Sequence, residues 1–131
     1  MIRPEDIEEI RDAYRLINER RVKTDFLADD FLLEQTPGLP GTRGAFRGAA
    51  GMEASMNELL AGFDAFRFEP VSFDVRGDWV VVPVKFWASA RGFEQEIEII
   101  HLWQMRDGRA LRIRVLAGDG DPLEEIRKLT D

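Results

Sequence analysis

Apolar residues near the start of the chain recur at helical spacing. Ile7, Ile10, Tyr14 and Ile17 fall on one face of a helix, with polar residues between them. Pro4 suits the first turn, where its missing N–H is not needed, and Glu5 and Asp6 complement the positive end of the helix dipole. Val22, Phe26 and Leu27 suggest a second, short helix ending near Ala28, after which Asp29-Asp30 turns the chain into a short strand, Phe31 to Gln35. The segment TPGLPGTRGAFRG, residues 36–48, is too rich in Gly and Pro for regular structure and predicts a loop. Loops of that length are more often functional than accidental, and this one is expected to lie, more mobile than the strands, at the mouth of any cavity. Helical spacing returns with Met52, Met56, Leu59, Leu60 and Phe63, and Gly62 is placed to end that helix.

From Phe66 the period switches to two. Strands are predicted at about 66–75, 79–90, 94–105 and 109–117, joined by turns at Gly77-Asp78, Arg91-Gly92 and Asp107-Gly108. Asp121-Pro122-Leu123-Glu124 supplies an N-cap, a proline at N1 and a glutamate at N3, so a last helix is expected from Leu123 to Leu129. Helices first and an antiparallel meander after them make an α+β chain, read as one domain over residues 1–131.

Alternation sorts the strand residues by face. Val80, Val82, Val84, Phe86, Ala88 and Ala90 form one apolar face, continued by Ile97, Ile99, His101, Trp103 and Met105, then by Leu111, Ile113, Val115 and Ala117. This face must meet the helices. His101 is the one strongly polar side chain on it. The opposite face mixes Val81, Trp87, Ile100, Leu102 and Leu116 with Lys85, Glu98, Arg112 and Arg114. So much apolar surface calls for a cover. The expectation is a homodimer through the face bearing Trp87, Ile100, Leu102 and Leu116, the alternative being the last helix folded over part of it. Pro83 is out of place inside a long strand, and a bulge there would accommodate it and bend the sheet.

Composition narrows the chemistry. Without cysteine there are no disulfides, thiolate nucleophiles or thiolate metal sites, and a single histidine argues against a His-rich metal site. A net charge of −7 argues against nucleic acid as a partner. Arg11, Arg15, Arg20, Arg21 and Lys23 are interrupted by acidic residues and read as a solvated helix face. The acidic, amphipathic start and the absence of a long apolar run predict neither a secretory leader nor a membrane partner, so the cytoplasm is the expected compartment.

FRGAAGMEASMNELLAGFDAFRFEP, GDWVVVPVKF and HLWQMRDGRALRIRV resemble segments of the nuclear transport factor 2-like superfamily, in its SnoaL-like branch, and the likeness extends over roughly residues 5–128. It implies a curved antiparallel sheet wrapped around the N-terminal helices as a cone, with a pocket inside. The superfamily includes isomerases, epoxide hydrolases, cyclases, dehydratases and plain binding proteins, so the likeness alone names no reaction. In the comparison with ketosteroid isomerase, Tyr14 matches the oxyanion-hole tyrosine, His101 the oxyanion-hole acid and Gln35 the aspartate base. An amide cannot take a proton from carbon at useful rates, which removes steroid isomerase chemistry. The paired carboxylates and arginine of the epoxide hydrolases have no counterpart either.

The candidate catalytic residues are therefore Tyr14 and His101. Histidine, with an ordinary pKa of roughly 6.5, can act as acid, base or neutral donor, while a buried tyrosine hydroxyl must find a partner. The structural alternative is a core histidine with one hydrogen bond and a tyrosine filling space. Gln35, Phe31, Met56, Phe86 and Trp103 are candidate ligand-binding residues, ordinary core packing being the alternative for each. Arg43 and Arg47, in the Gly/Pro loop, would meet an acidic ligand group or be solvated. Asp29-Asp30 reads as a turn and not as a metal site, no serine has a histidine partner in view, and neither a metal nor a cofactor is implied. Two functions fit: a cofactor-independent proton-transfer enzyme (cyclase, isomerase or dehydratase) on a small apolar molecule, or a non-catalytic ligand-binding or dimeric interaction module.

Overall fold

A computed structural model describes residues 1–35 and 44–130. The elements run α1 (Pro4–Asn18), β1 (Leu27–Gln35), β2 (Ala45–Arg47), α2 (Gly48–Gly62), β3 (Ala65–Pro70), β4 (Asp74–Arg76), β5 (Trp79–Ala90), β6 (Phe93–Arg106), β7 (Arg109–Ala117) and α3 (Pro122–Thr130). The sheet order is β2-β1-β7-β6-β5-β3, with β4 beside β5. Strands and helices together form the expected cone-shaped α+β fold, but the sheet is mixed and not purely antiparallel. The first long strand, β1, lies parallel to the last, β7, with Leu33 opposite Ile113 and Gln35 opposite Val115.

Local chemistry explains most boundaries. Asp6 is buried and accepts from the Arg3 backbone N–H at 2.8 Å, tying off the start of α1. The α1 helix ends at Asn18, Arg20 just beyond it has a φ of 65° outside the helical region, and no second helix follows before β1. A few residues with a threonine and an aspartate among them cannot repay helix nucleation. Phe26 and Leu27 are buried as expected of them, but as the entry to β1: the Phe26 carbonyl accepts from the Ala110 N–H at 2.8 Å. Asp29-Asp30 is not a turn between helix and strand. Both residues are exposed within β1, where the register against β7 shifts between Leu27 and Leu32. Of the segment 36–48, residues 36–43, Arg43 included, lie outside the described residues, and 45–47 form the short strand β2.

The α2 helix ends at Gly62 as the pattern requires, although Leu60 on its expected apolar stripe is exposed. Gly51 lets α2 sit close on β2, because a Cβ there would fall 2.6 Å from the Phe46 carbonyl carbon. The strand expected over 66–75 is broken: Pro70 ends β3 and the chain re-enters the sheet as β4. The same break explains Pro83. No bulge separates β5 from β6, which pair without a shift from Trp79 to Ala90. Pro83 instead sits where the neighbouring edge passes from β3 to β4, and its carbonyl accepts from the Val71 N–H there. A residue whose polar groups point at that gap needs no ladder N–H.

The free edge of β3 is closed by side chains. Asn18 donates to the Phe68 carbonyl and accepts from its N–H, both at 2.8 Å, Arg20 donates to the Phe66 carbonyl, and Pro70 has no N–H to offer. Such an edge resists pairing with another strand.

Both sheet faces are buried, by different means. The inner face, with Val80, Val82, Val84, Phe86, Ile99, Trp103 and Met105, packs with Ile10, Tyr14, Met56 and Leu59 from α1 and α2. One expected member is replaced: a register shift at Gln104/Met105 sets Met105 opposite Ala110, so Ala110 is buried and Leu111 only half-buried. On the outer face Trp79, Val81, Ile100, Leu102 and Leu116 form a second cluster against Ile126 and Leu129 of α3. The helix is also tied by ion pairs, Arg114 joining Glu125 at 3.1 Å and Glu34 at 3.6 Å. Within one chain, α3 thus covers Ile100, Leu102 and Leu116, three of the residues that called for a partner sheet. Trp87, farther along the face, is half-buried and is not part of this cluster.

Candidate functional site

The site is set by two periodicities that meet. Positions 101 and 103 of β6 are two residues apart, so both side chains point to the inner face with Cα atoms about 7 Å apart. Val82 and Val115 flank His101 on the neighbouring strands, and Val80 and Ile113 flank Trp103. Helix α1 crosses that face and lowers Tyr14 between the two rings. The Tyr14 hydroxyl lies 2.6 Å from His101 Nδ1 and accepts from Trp103 Nε1–H at 2.9 Å. The phenol lies nearly parallel to the imidazole, 10° between planes, and edge-on to the indole at 67°. All three side chains are buried.

Around them is a cavity of about 100 Å³. That is far below the roughly 300–1,000 Å³ of pockets for drug-sized ligands and of the order of the ~150 Å³ apolar cavity that takes up benzene. Met56 and Leu59 of α2, Phe68 of β3, Phe86 of β5 and Ile113 of β7 make its walls apolar. Arg21 also lines the cavity with a side chain 67 % exposed, so it opens to solvent on that side.

Burial governs the protonation of the pair. It lowers the pKa of His101 from 6.5 to about 4, so the imidazole is neutral at ordinary pH. The Tyr14 phenol is pushed up, also by burial, with the Trp103 hydrogen bond opposing weakly. Neither group is charged near neutrality. Lys23, beside Arg21 on the cavity wall, is different: burial lowers its pKa, but Glu9 at 2.8 Å and Asp25 at 3.0 Å outweigh that and raise it. It stays an ammonium and is no amine nucleophile.

Tyr14, His101, Trp103, Met56, Phe86 and Gln35 all line this cavity. Phe31 does not. It is wholly buried in the core behind the wall, on the β1 face that also carries Leu33 and Gln35. Arg47 is exposed at the end of β2 and is not on the wall, and among the described residues no group of three or more His, Asp and Glu is placed to hold a metal. Arg21 and Lys23, expected on a solvated helix face, lie beyond α1 and line the cavity, Lys23 with only 9 % of its side chain exposed, and Phe68 and Ser55 were not expected on the wall. Only Ser55 had left a signal, being a polar residue on the apolar stripe of α2, where its hydroxyl donates to the Met52 carbonyl at 2.8 Å. Trp103 was expected as wall, and its indole N–H as a hydrogen-bond donor was not anticipated.

The SnoaL-like domain model matches residues 10–113. No curated protein matches the chain. Among solved structures, TerC co-crystallised with polyporic acid superposes with a TM-score of 0.77 at 24% identity, covering 96% of this chain and 98% of that one. An NTF2-like protein of unknown function from Burkholderia pseudomallei gives 0.79 at 22% identity over 98% of this chain and 100% of that one. A protein from Jannaschia sp. assigned to the SnoaL-like polyketide cyclases gives 0.71 at 15% identity, over 96% and 94%. Likenesses this remote speak for the fold. No helix among the described residues is long and apolar enough to cross a membrane.

Proposed function

Since the chain belongs to the SnoaL-like domain family, we propose that it holds a small, largely apolar molecule in the cavity beneath α1, with His101 as the polar anchor. One observation carries this reading. The only histidine of the chain is buried on an otherwise apolar face and uses one ring nitrogen on Tyr14, while no group among the described residues pairs with the other. Nε2 is not sealed in: among the described residues, the only fully enclosed side-chain polar atom without a partner is Trp79 Nε1. A desolvated imidazole with a free nitrogen is costly unless something fills that position.

The same groups bound the chemistry. A reaction on this site would use these groups to polarise a ligand oxygen beside His101, as a cyclisation, isomerisation or dehydration would require. A non-catalytic binding role is the second reading, and one observation favours it. No aspartate or glutamate is among the described residues lining the cavity, and an imidazole of pKa about 4 is a weak base at neutral pH.

The test is a thermal-shift screen of neutral compounds of benzene to naphthalene size, together with mass spectrometry of small molecules extracted from the purified protein. The reading expects compounds that stabilise the wild type and lose their effect in His101→Ala, with the variant still folded. A screen and extraction that yield nothing, with His101→Ala merely destabilised, would leave the Tyr14–His101 pair a structural element.

A further inference from the structure

Resting on the pocket reading, we infer that Trp103 is a positioning residue that turns the Tyr14 proton toward His101, leaving the neutral imidazole with an Nε2–H to offer to the ligand. The ligand class follows: a compact apolar body bearing a neutral oxygen acceptor, such as a ketone, held by His101 and not by Tyr14.

The inference is a count of protons. An indole N–H only donates, so the 2.9 Å contact from Trp103 occupies a lone pair of the Tyr14 oxygen. The hydroxyl has one proton. Its only other hydrogen-bond partner among the described residues is His101 Nδ1, at 2.6 Å. If Nδ1 carried the imidazole hydrogen, the tyrosine oxygen would accept twice and its own proton would lack an acceptor in a buried place. If the hydroxyl donates to Nδ1, all three groups are satisfied. Burial disfavours the imidazolium, so the single ring hydrogen then sits on Nε2. Tyr14 has spent its proton within the protein and does not address the ligand.

A neutral N–H at an apolar wall selects an acceptor. An anion would enter without an opposing charge next to the donor: Lys23 is already paired with Glu9 and Asp25, and Arg21 with Glu19 at 3.5 Å. A ligand offering only a donor would meet Nε2–H head-on. A ketone, ether or other neutral oxygen meets neither objection.

Two measurements test this. Long-range ¹H–¹⁵N correlation spectra of the single histidine report its tautomer with no ligand present. The Nε2–H form is expected in the wild type. In Trp103→Phe, where the indole N–H no longer occupies the side of the oxygen away from His101 and the hydroxyl hydrogen is free to turn there while the oxygen accepts from Nδ1–H, a shift toward the Nδ1–H form is expected. A packing role for Trp103 would change stability and leave the tautomer alone. The second measurement compares cyclohexanone with methylenecyclohexane, which differ only in C=O against C=CH₂. The affinity of the ketone relative to the alkene should be about tenfold higher in the wild type than in His101→Phe, where the carbonyl is desolvated without a donor, the value of one hydrogen bond. Wild-type protein in the Nδ1–H form, an unchanged tautomer in folded Trp103→Phe, or a ketone-to-alkene affinity ratio that His101→Phe leaves unchanged overturns the inference. Failure of both probes to bind overturns the pocket reading instead, and the wild-type spectrum decides the proton count even if Trp103→Phe does not fold.

Discussion

Trp103 and Trp79 sit one pairing position apart on β6 and β5, on opposite faces of the same sheet, and both are almost fully buried. Trp103 donates to Tyr14. Trp79, under α3, has no partner for its N–H. The contrast separates two ways of burying a sheet. The outer face is sealed by apolar contact with α3 and by peripheral ion pairs, and it tolerates an unmet donor as a small loss. The inner face leaves space and lines part of it with a hydrogen-bonded chain, Trp103 to Tyr14 to His101. One face is sealed, and the other encloses a cavity.

Variants that treat the faces separately test this division. The largest effect belongs to the outer seal. Leu102→Ala, at a side chain with no exposure, should cost about 2–5 kcal/mol in denaturant unfolding and leave any ligand affinity of the folded fraction unchanged. A loss of affinity comparable to the loss of stability would mean that the faces are not independent.

Next comes acid. The folded state holds His101 at about 4 against an ordinary 6.5, so the unfolded chain binds more protons between those values and stability rises with pH across that window. The neutral-histidine contribution is complete above pH 6.5 and is lost as pH falls to 4, in all about 3 kcal/mol. Carboxylates titrate over part of the same range, so the measurement is the difference in unfolding free energy between wild type and His101→Gln at pH 7 and at pH 4. A difference that does not move with pH would mean that His101 is solvated.

Tyr14→Phe keeps the ring but strands Trp103 N–H and His101 Nδ1. It should cost about 1–3 kcal/mol, measurable by chemical denaturation. The smallest effect comes from the indoles themselves. Trp79→Phe and Trp103→Phe remove similar apolar volume, but only the second breaks a hydrogen bond, so Trp103→Phe should be the less stable by about 1 kcal/mol. Equal stabilities would dissolve the contrast.

Much of this was legible in the sequence. The α1 stripe, the long strands and the sorting of β5 and β6 into two faces follow from one-sided burial, which writes period 3.6 or 2 directly into the chain. Tyr14 and His101 could each be assigned to a buried face on that ground, but bringing them together required the family resemblance. What stayed hidden depends on partners distant in sequence. No local pattern says that β1 lies parallel to β7, that Leu111 slips out of register so that Ala110 fills its place, or that β3 breaks where Pro83 faces the gap. Phe31 and Phe86 look alike in sequence, yet only Phe86 reaches the cavity. Hydrogen bonding was the other blind spot: an indole counted as apolar wall conceals the donor on which the proton count depends.

Because the chain has a single histidine, one titration addresses the central claim. The imidazole carbon-bound protons, followed by NMR from pH 8 to pH 3.5, should hold the shifts of a neutral ring through pH 6 and move only on approaching about 4. A midpoint near 6.5 in the folded protein would place His101 in water, and the cavity, the proton count and the proposed ligand would all fall with it.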